Sequence, residues 1–344
     1  MKAALRNWLA AVGAAVFALS ATACAGTPPA AERTALDELA RIRQASDQLT
    51  YSGVFVYQQG REVRSSRITH SREAGGGREK LQMLDGQPRE FLRRADEVRA
   101  LMPEVRTVLV EQARSHDTAF PAFLRADPSQ LLQHYRLRRI SAERVALFET
   151  DGLELEPLDA LRYGYRLFAD RRTGLLLKAQ TIDERGDVVE QMAFTELRIG
   201  GPLEKGSLEA SWNTRGWKVE RTATRSVDLS AWRLTKPVAG FNRITEVQRS
   251  LAGHGEVSQI VFSDGRAAVS IFIEAAPEAG APAKAVKAAD AGSPATRETM
   301  SAEGSVNVFS RRYGAYLITV LGEAPAAAIR QFADALELSK PATP

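Results

Sequence analysis

The sequence predicts an α+β protein in two parts: an N-terminal half-open antiparallel β-barrel with helices over residues 32–203, and a smaller C-terminal α+β domain over 227–340. Three observations predict this organisation. The length of 344 residues suits two domains. Short apolar and β-branched segments follow one another through tight turns, which is typical of an antiparallel meander. Residues 204–226 carry glycines and alternating charges and are predicted to be a linker.

The first 23 residues have the pattern of a secretory signal peptide. Lys2 and Arg6 form its positive start, residues 8–19 form a short apolar run, and Ala21-Thr22-Ala23 fits the small-x-small cleavage site. The apolar run is shorter than the roughly 20 residues that a membrane-spanning helix needs. We therefore exclude residues 1–23 from the fold and expect the mature protein in a bacterial periplasm.

Cys24 is the single cysteine of the sequence, so no disulfide forms within the chain. It directly follows the predicted cleavage site, where a lipoprotein carries its lipid acceptor. Lipoprotein signals usually have leucine three places before that cysteine, and this chain has Ala21. Two outcomes therefore stay open: lipidation of Cys24, which would tether the protein to a membrane, and plain cleavage near Ala23 or Ala25.

The first part begins with a predicted helix over 32–49, where Leu36, Leu39 and Ile42 recur at helical spacing. A series of short strands follows. The first, 51–57, is apolar or aromatic on both faces, which indicates that both faces are covered. The predicted strands in this series are 51–57, 63–70, 79–84, 89–94, 97–102 and 107–111.

Residues 113–135 interrupt the series. Residues 120–124 are apolar but irregular, and 128–135 has a helical pattern with Leu131, Leu132 and Tyr135 on one face. This insertion either covers the open side of the sheet or connects two strands over the surface, and the sequence leaves both alternatives open. Strands resume at 144–150, 163–169, 175–182 and 188–199, with Pro157 in a loop. About ten strands are enough for a partly closed barrel.

The second part combines strands with one helix. Residues 232–238 are extended, and 256–262 and 267–274 form a predicted hairpin across Ser263-Asp264-Gly265. Residues 275–303 are rich in alanine, proline, glycine and lysine and are predicted to be a mobile loop. Two further strands, 305–309 and 315–322, and a helix over 325–338 complete this domain.

Composition and motifs favour a binding protein over an enzyme. The net charge of +4 comes from basic residues that alternate with acids, so we expect no nucleic-acid partner. The four histidines do not occur in a metal-binding spacing, and the sequence has neither a Gly-x-Ser-x-Gly elbow nor a phosphate-binding loop. Without an oriented nucleophile or acid–base pair, we predict no catalytic site, no metal site and no cofactor.

Large apolar side chains are spread over many of the predicted strands. They either pack as an ordinary core or line a cavity for an acyl chain, because one curved sheet with few helices leaves its inside to be filled. Arginines near strand ends, among them Arg93 and Arg94, would suit anionic head groups. The candidate cavity residues are Phe55, Tyr57, Leu81, Met83, Phe91, Leu101 and Tyr165.

A set of motifs runs through both parts of the chain. They are Tyr51-Ser52-Gly53-Val54-Phe55-Val56-Tyr57, His70, Leu84-Asp85-Gly86-Gln87-Pro88-Arg89-Glu90, Arg162-Tyr163-Gly164-Tyr165-Arg166-Leu167, Asp170 with Thr173-Gly174-Leu175-Leu176, Gly240-Phe241, Phe262-Ser263-Asp264-Gly265-Arg266-Ala267-Ala268-Val269-Ser270-Ile271-Phe272-Ile273-Glu274 and Val320-Leu321-Gly322-Glu323-Ala324-Pro325. Together these motifs resemble the MucB/RseB family of periplasmic regulators of the envelope-stress sigma factor, over about residues 35–338. One departure lies at 144–148, which reads Arg-Val-Ala-Leu-Phe where the family has a Val-Ala-Gly-Arg-like run. The lipobox-like Cys24 is another.

This resemblance implies a function. The first part would be similar to lipoprotein-carrier folds with a hydrophobic cavity, and the second would bind the periplasmic part of an anti-sigma factor and shield it from regulated proteolysis. Lipid or a lipopolysaccharide fragment would release it. The alternative is a lipid or lipoprotein carrier of the bacterial envelope. The sequence leaves the oligomeric state open, a homo-oligomer included. The resemblance implies these partner-binding residues: Phe262, Asp264, Gly265, Arg266 and Phe272.

Overall fold

The computed structural model describes residues 30–73, 77–95, 97–112, 120–123, 127–221, 224–251, 255–276 and 298–339. No helix within these ranges is both long enough and apolar enough to cross a bilayer. The predicted signal peptide and Cys24 lie outside the described residues. The helices are α1 (Ala30–Gln48) and α2 (Ala326–Ala335), and two 3₁₀ turns span Pro103–Val105 and Pro128–Gln133.

The strands fall into a large first sheet, a second sheet and a two-stranded third sheet. Those of the first sheet are β1 (Tyr51–Gln59), β2 (Glu62–Ser71), β3 (Arg78–Met83), β4 (Glu90–Arg94), β5 (Glu97–Met102), β6 (Thr107–Gln112), β7 (Tyr135–Ile140), β8 (Arg144–Val145), β9 (Phe148–Pro157), β10 (Gly164–Asp170), β11 (Leu176–Ile182), β12 (Val188–Ile199) and β13 (Lys218–Arg221). The others are β14 (Thr224–Ser226), β15 (Trp232–Leu234), β16 (Asn242–Leu251), β17 (Gly255–Ser263), β18 (Ala268–Ala275), β19 (Thr299–Glu303), β20 (Val306–Tyr313), β21 (Tyr316–Gly322) and β22 (Leu336–Leu338).

The first sheet is an open antiparallel meander. Its order is β13-β6-β5-β4-β3-β2-β1-β12-β11-β10-β9-β7, and β8 pairs with β9. Its end strands, β13 and β7, do not pair with each other in the described part of the chain, so the sheet does not close. This confirms the predicted half-open architecture. The strand that opens the meander, β1, lies in the middle of the sheet between β2 and β12.

The main core lies between this sheet and α1. Leu39 and Ile42 of the helix are buried against strands at the β7 end of the sheet. Phe120 and Phe123, from the segment between β6 and β7, are buried in the same cluster. We call this helix-covered side the inner face of the first sheet and the opposite side its outer face. These two phenylalanines therefore fit the alternative in which the insertion covers the open side of the sheet.

Residues 204–221, predicted as part of a linker, do connect the two sheets, but they also pack on the outer face of the first sheet. Trp212 and Trp217 lie against a small buried cluster, and β13 pairs in parallel with β6. The attachment is polar as well as apolar. Lys80 Nζ donates to Ser211 Oγ at 2.9 Å, and Glu90 accepts from the backbone N–H of Ser211 at 2.9 Å. The Lys80–Glu90 ion pair beneath is almost completely buried.

The second sheet, in the order β14-β16-β17-β18-β21-β20-β19, forms the smaller domain. Helix α2 packs on one of its faces, where Ile329 and Phe332 join Ile271, Val320 and Phe309 in a buried core. Strand β22 follows the helix directly and pairs with β15. This arrangement confirms the predicted α+β architecture of the second part.

The structure corrects several predicted boundaries in the first part. Residues 128–135 are not one helix: a 3₁₀ turn ends at Gln133 and Tyr135 begins β7. Residues 144–150 are not one strand, because β8 and β9 form a hairpin through Ala146 and Leu147. Both turn residues have positive φ, 46° and 72°. Strand β9 continues to Pro157, which the sequence predicts in a loop.

In the second part the structure adds strands and shortens the helix. The sequence predicts neither β14 nor β16. The helix ends at Ala335, because Leu336 is already extended with φ −75° and ψ 124°. Within the predicted mobile loop 275–303, residues Thr299–Glu303 form β19 and pair with β20. Residues 277–297 of that loop lie outside the described residues.

Candidate functional site: the inner face and the contact between the two sheets

Cross-strand register places most of the predicted cavity residues on the inner face. Residues directly opposite each other in a sheet share a face. Phe55 lies opposite Phe194 on β12 and Ser66 on β2, and Ser66 lies opposite Met83. Following this register outward brings one set of side chains to the inner face: Phe55, Tyr57, Leu81, Met83, Phe91 and, through β12, β11 and β10, Tyr165.

The structure separates Leu101 from this set. Leu101 lies opposite Glu90 and Val108, so it shares the face of Glu90, the residue next to Phe91. That is the outer face, where Leu101 is buried in the cluster beneath Trp212 and Trp217. The residue on β5 that shares the face of Phe91 is Ala100. Leu101 therefore leaves the candidate cavity.

The inner face is closed in its middle by aromatic rings. The Phe120 ring lies 5.1 Å from the rings of both Phe55 and Phe194, measured between centroids. Phe123, three residues along, has its ring 5.2 Å from that of Tyr165. These two covering phenylalanines belong to the segment that the sequence marks as apolar and irregular, but their contacts depend on the tertiary fold.

The β3–β5 end of the inner face is less covered. Its apolar side chains are half-buried rather than buried, unlike those under α1. Arg93 lies at the end of this row, opposite Val98. We call the half-buried row the apolar strip; it consists of Leu81, Met83, Phe91, Ala100 and Met102.

Arg162, between β9 and β10, holds the two sheets together. Its Nε donates to Asp264 Oδ2 at 2.8 Å, and neither side chain has exposed surface. The same guanidinium donates to Asp159 and, at 2.6 Å, to the carbonyl of Ala239. Its Cζ lies 4.9 Å from the ring centroid of Phe241. All its partners except Asp159 lie beyond β14, in the second part of the chain.

Arg266 crosses the same contact in the opposite direction. It follows the turn after β17, and its Cζ lies 4.6 Å and 4.7 Å from the ring centroids of Phe123 and Tyr165. Its polar contact is with Glu323, at 3.4 Å. Its Nε has no hydrogen-bond partner among the described residues. This guanidinium is therefore held by aromatic faces more than by hydrogen bonds.

A group of polar side chains surrounds these arginines. Glu190 of β12 accepts a hydrogen bond from Ser305, and Asn307 Nδ2 donates to the hydroxyl of Tyr163 at 2.9 Å. Burial raises the pKa of Glu190, and the charge of Glu323 raises it further. Burial also raises the pKa of Tyr57, and the nearby Glu190 carboxylate adds to this effect. The edge of the inner face is therefore continuous with the contact between the sheets.

His134 completes the contact from the 3₁₀ turn before β7. Its imidazole and Arg162 both lie against Gly240, which has φ +78°. Burial lowers the pKa of His134, and the positive charge of Arg162 lowers it further. Glycine is required at position 240 for two reasons. Its left-handed backbone favours glycine, and a Cβ would collide with both neighbouring side chains.

The five predicted partner-binding residues do not form one exposed patch in this structure. Phe262 is buried, with its ring 5.1 Å from that of Phe332. Asp264, Gly265 and Arg266 belong to the turn that meets the first sheet. Phe272 is half-buried, and its neighbours Val269, Ile271 and Ile273 alternate with it toward the core under α2. No cluster of three or more metal-ligating side chains occurs among the described residues.

Comparison with known families covers both parts of the chain. A model of the MucB/RseB N-terminal domain matches residues 34–212, and a model of the MucB/RseB C-terminal domain matches residues 226–337. The chain is 30% identical over 300 residues to the sigma factor AlgU regulatory protein MucB of Pseudomonas aeruginosa, covering 85% of this chain and 87% of that protein. It is 25% identical over 303 residues to the sigma-E factor regulatory protein RseB of Haemophilus influenzae, covering 86% and 89% respectively.

Solved structures agree with these matches. The MucA/MucB complex of Pseudomonas aeruginosa contains a chain that aligns with a TM-score of 0.68 and 27% identity, over 89% of this chain and 99% of that one. MucB in complex with MucA(peri) aligns with a TM-score of 0.66 and 28% identity, with the same two coverages. The likeness thus extends over both sheets and not over one of them alone.

Proposed function

This chain belongs to the MucB/RseB family, and we propose that it is a periplasmic regulator of an envelope-stress sigma factor. It binds the periplasmic part of an anti-sigma factor, protects that part from regulated proteolysis, and is released by lipid or a lipopolysaccharide fragment. The observation that carries the proposal is the presence of both family domains in one chain, with the fold of a MucB structure solved together with MucA. We infer a binding function without catalysis.

The apolar strip supports the ligand half of the proposal. Its five side chains are half-buried on a face whose middle is packed with aromatic rings. An acyl chain that covered them would bury apolar surface, and this burial would stabilise the complex by about 25 cal/mol per Å². Arg93 at the end of the strip is suitably placed for an anionic head group, as arginine binds phosphate and carboxylate well. The cavity residues in this proposal are those of the inner face, without Leu101.

The placement of the predicted partner residues divides their proposed roles. Asp264, Gly265 and Arg266 set the orientation of the second sheet against the first, and Phe262 supports the turn from the core. Phe272 is half-buried on the side of the second sheet opposite α2, where a partner segment would reach it. We propose that the partner contacts Phe272 directly and depends on the other four through the orientation of the sheets.

The proposed location is the periplasm. The evidence is the signal-like N-terminus together with family membership. Attachment through a lipid on Cys24 is a separate proposal, tested by metabolic labelling with a fatty acid in the wild type and in Cys24→Ser. Equal labelling of the two proteins would refute attachment through Cys24.

A pull-down tests the regulatory function. The full mature chain is immobilised and offered the periplasmic segment of the anti-sigma factor encoded in the same genome, with and without lipopolysaccharide fragments. We expect capture without the fragments and release with them. Absence of capture under both conditions would refute the proposal. Phe272→Asp should weaken capture, whereas Leu158→Asp, a change at an exposed residue of the first part, should leave it intact.

A matched pair of variants tests the ligand site. Phe91→Asp places a charge on the apolar strip, and Val56→Asp places one on the outer face of the same sheet, also at a half-buried position. Native mass spectrometry with lipid should show binding lost in Phe91→Asp and kept in Val56→Asp. Loss in both variants, or in neither, would mean that the strip is not the site.

The second candidate function is a lipid or lipoprotein carrier, which the same apolar strip favours. A transfer assay between donor and acceptor vesicles separates the two functions. Transfer without capture of the anti-sigma segment would support the carrier. Capture of the anti-sigma segment that is reversed by lipid, without lipid transfer between vesicles, would support the regulator.

A further inference from the structure

Two arginines cross the contact between the sheets in opposite directions, and they are held unequally. Arg162 is fully buried and is held by Asp264, Asp159 and the carbonyl of Ala239. Charge-assisted hydrogen bonds of this kind are strong, and breaking a buried pair leaves an uncompensated charge. The Arg266 guanidinium has one polar contact among the described residues, at 3.4 Å to Glu323, a half-exposed side chain. We call Arg162 and Arg266, together with their contacts, the two-arginine clasp.

Arg266 depends on rings that belong to the covering of the inner face. Its guanidinium lies over Phe123 and Tyr165, at 4.6 Å and 4.7 Å. A cation over an aromatic face is attracted only while the ring stays beneath it, because the attraction acts within about 6 Å of the centroid. Withdrawal of Phe123 would thus remove one of the two faces that hold Arg266.

Phe120 connects this ring to the inner face. It lies three residues before Phe123 and packs on Phe55 and Phe194, in the middle of the sheet. An acyl chain that extends from the apolar strip along the inner face meets Phe120 first. Because the two phenylalanines share one short segment, displacement of Phe120 also acts on Phe123 and on the guanidinium above it.

We propose that Arg266 is the releasable half of the two-arginine clasp. An acyl chain entering along the apolar strip displaces Phe120 and Phe123 and loosens Arg266 from the first sheet, while the Arg162–Asp264 ion pair stays intact. The second sheet then pivots about Arg162 and stays attached to the first. This inference rests on the proposed function in requiring a ligand on the inner face, and it adds the residue through which occupancy reaches the second sheet.

Chemical labelling of arginines follows this release directly. Phenylglyoxal is applied to the full mature chain with and without 1-monolauroylglycerol, an uncharged probe that does not shield arginine, and labelled peptides are quantified by mass spectrometry. Arg266 has 14% of its side chain exposed, against none for Arg162 and 64% for Arg136. We expect the probe to raise labelling of Arg266 several-fold, toward the rate of Arg136, and to leave Arg162 unlabelled.

A second measurement uses the affinity for the probe. If the ligand must displace Arg266, Arg266→Gln removes a competing interaction, so the probe should bind more tightly to this variant. Arg330→Gln is the matched control. Arg330 also lies over a ring, Phe309 at 5.2 Å, and pairs with Glu298, but all three lie within the second part. The control should bind the probe like the wild type. A merely structural role of Arg266 would not raise affinity.

The outcomes separate this inference from the proposed function. Native mass spectrometry first establishes whether the wild type binds the probe. If it does not, the ligand half of the proposed function fails. If it binds and Arg266 labelling is unchanged, the ligand site stands and the clasp inference is overturned. Equal increases at Arg162 and Arg266 would also overturn it, because the whole contact would then open at once.

Discussion

Arg162 and Asp264 form an ion pair with no exposed surface although they lie in loops of different sheets and 102 positions apart in the chain. The pair is satisfied on both sides. Asp264 uses its second oxygen, Oδ1, to accept the backbone N–H groups of Arg266 and Ala267, at 2.9 Å and 2.7 Å. One carboxylate therefore shapes the turn after β17 and anchors it to the first sheet.

Replacing Asp264 with asparagine should separate these two roles. The variant keeps the oxygen that accepts the turn N–H groups but loses the charge opposite Arg162. Breaking a buried pair from one side costs about 3 to 5 kcal/mol, so we expect a loss of about that size in the free energy of unfolding. Urea denaturation measures it. Asp228→Asn is the control, since Asp228 also accepts a backbone N–H, from Ser230 at 2.8 Å. A loss no larger than that of the control would contradict a strong anchor.

Gly240→Ala should weaken the same contact by a steric route. An added Cβ would lie closer than 3.0 Å to both Arg162 Nη2 and His134 Cε1. Gly216→Ala has the same backbone conformation, φ +75° against +78°, and open space around its Cβ. The control therefore reports the cost of the left-handed backbone alone, about 1 to 2 kcal/mol. Thermal unfolding should show a clearly greater loss for Gly240→Ala; equal losses would mean that the contact adapts to the extra carbon.

Leu147→Gly should make the protein more stable. Leu147 is 81% exposed and sits at φ 72° in the β8–β9 turn, so its side chain gains little from packing and strains the backbone. Relief of left-handed strain, offset by the greater freedom of glycine in the unfolded chain, should raise the free energy of unfolding by about 0.5 to 1 kcal/mol. Leu158→Gly, at another exposed leucine without positive φ, should instead lower it. Urea denaturation of both variants compares the signs, and a loss in Leu147→Gly would argue against strain.

Acid should loosen the packing of residues 204–221 on the first sheet. Burial acts to raise the pKa of Glu90, but hydrogen bonds from Ser211 and Gln82 and the charge of Lys80 outweigh it and hold the pKa below its usual value of 4.5. A lowered folded-state pKa means that Glu90 contributes stability above that usual value. This contribution is lost as the pH falls through the folded-state pKa.

Tryptophan fluorescence would detect this loss, because Trp212 and Trp217 stack at 6.4 Å on the same outer face. We expect a transition below about pH 4.5 in the wild type. Glu90→Gln, which cannot titrate at that position, should lack it and should resemble the acid form at neutral pH. A transition of the same size in the variant would assign the change to other carboxylates.

The local sequence pattern predicts an element correctly where its apolar residues recur at a regular spacing and a clear turn signal bounds it. Strand β12 and helix α1 follow the predicted segments closely for that reason. The sequence pattern does not indicate strand β7, because half of its residues are arginines. Arg136, Arg138 and Arg139 pair with Glu156, Glu154 and Glu38 on neighbouring elements. The pattern does not indicate the β8–β9 hairpin either, because its turn contains Ala146 and Leu147 where a glycine is expected.

The site was less predictable than the fold because faces depend on register. A shift of one residue in strand pairing moves a side chain to the other face of the sheet. Nothing in the sequence of the link between β4 and β5 indicates the register in which these two strands pair. The sequence therefore predicts Leu101 in the same cavity as Phe91, although the cross-strand neighbour of Phe91 is Ala100. Arg162 lies 102 positions from its partner Asp264. Arg266 is similarly distant in the chain from Tyr165, and no local pattern indicates such pairs.

The docking of residues 204–221 also decides how this protein can be divided. A cassette of the first part that stopped at residue 203 would lack β13 and leave Lys80 and Glu90 without Ser211. The family match for the N-terminal domain ends at residue 212, which includes Ser211 but not β13. Chimaeras that exchange the second sheet between relatives should therefore be joined after Arg221, so that the first sheet keeps its parallel edge strand.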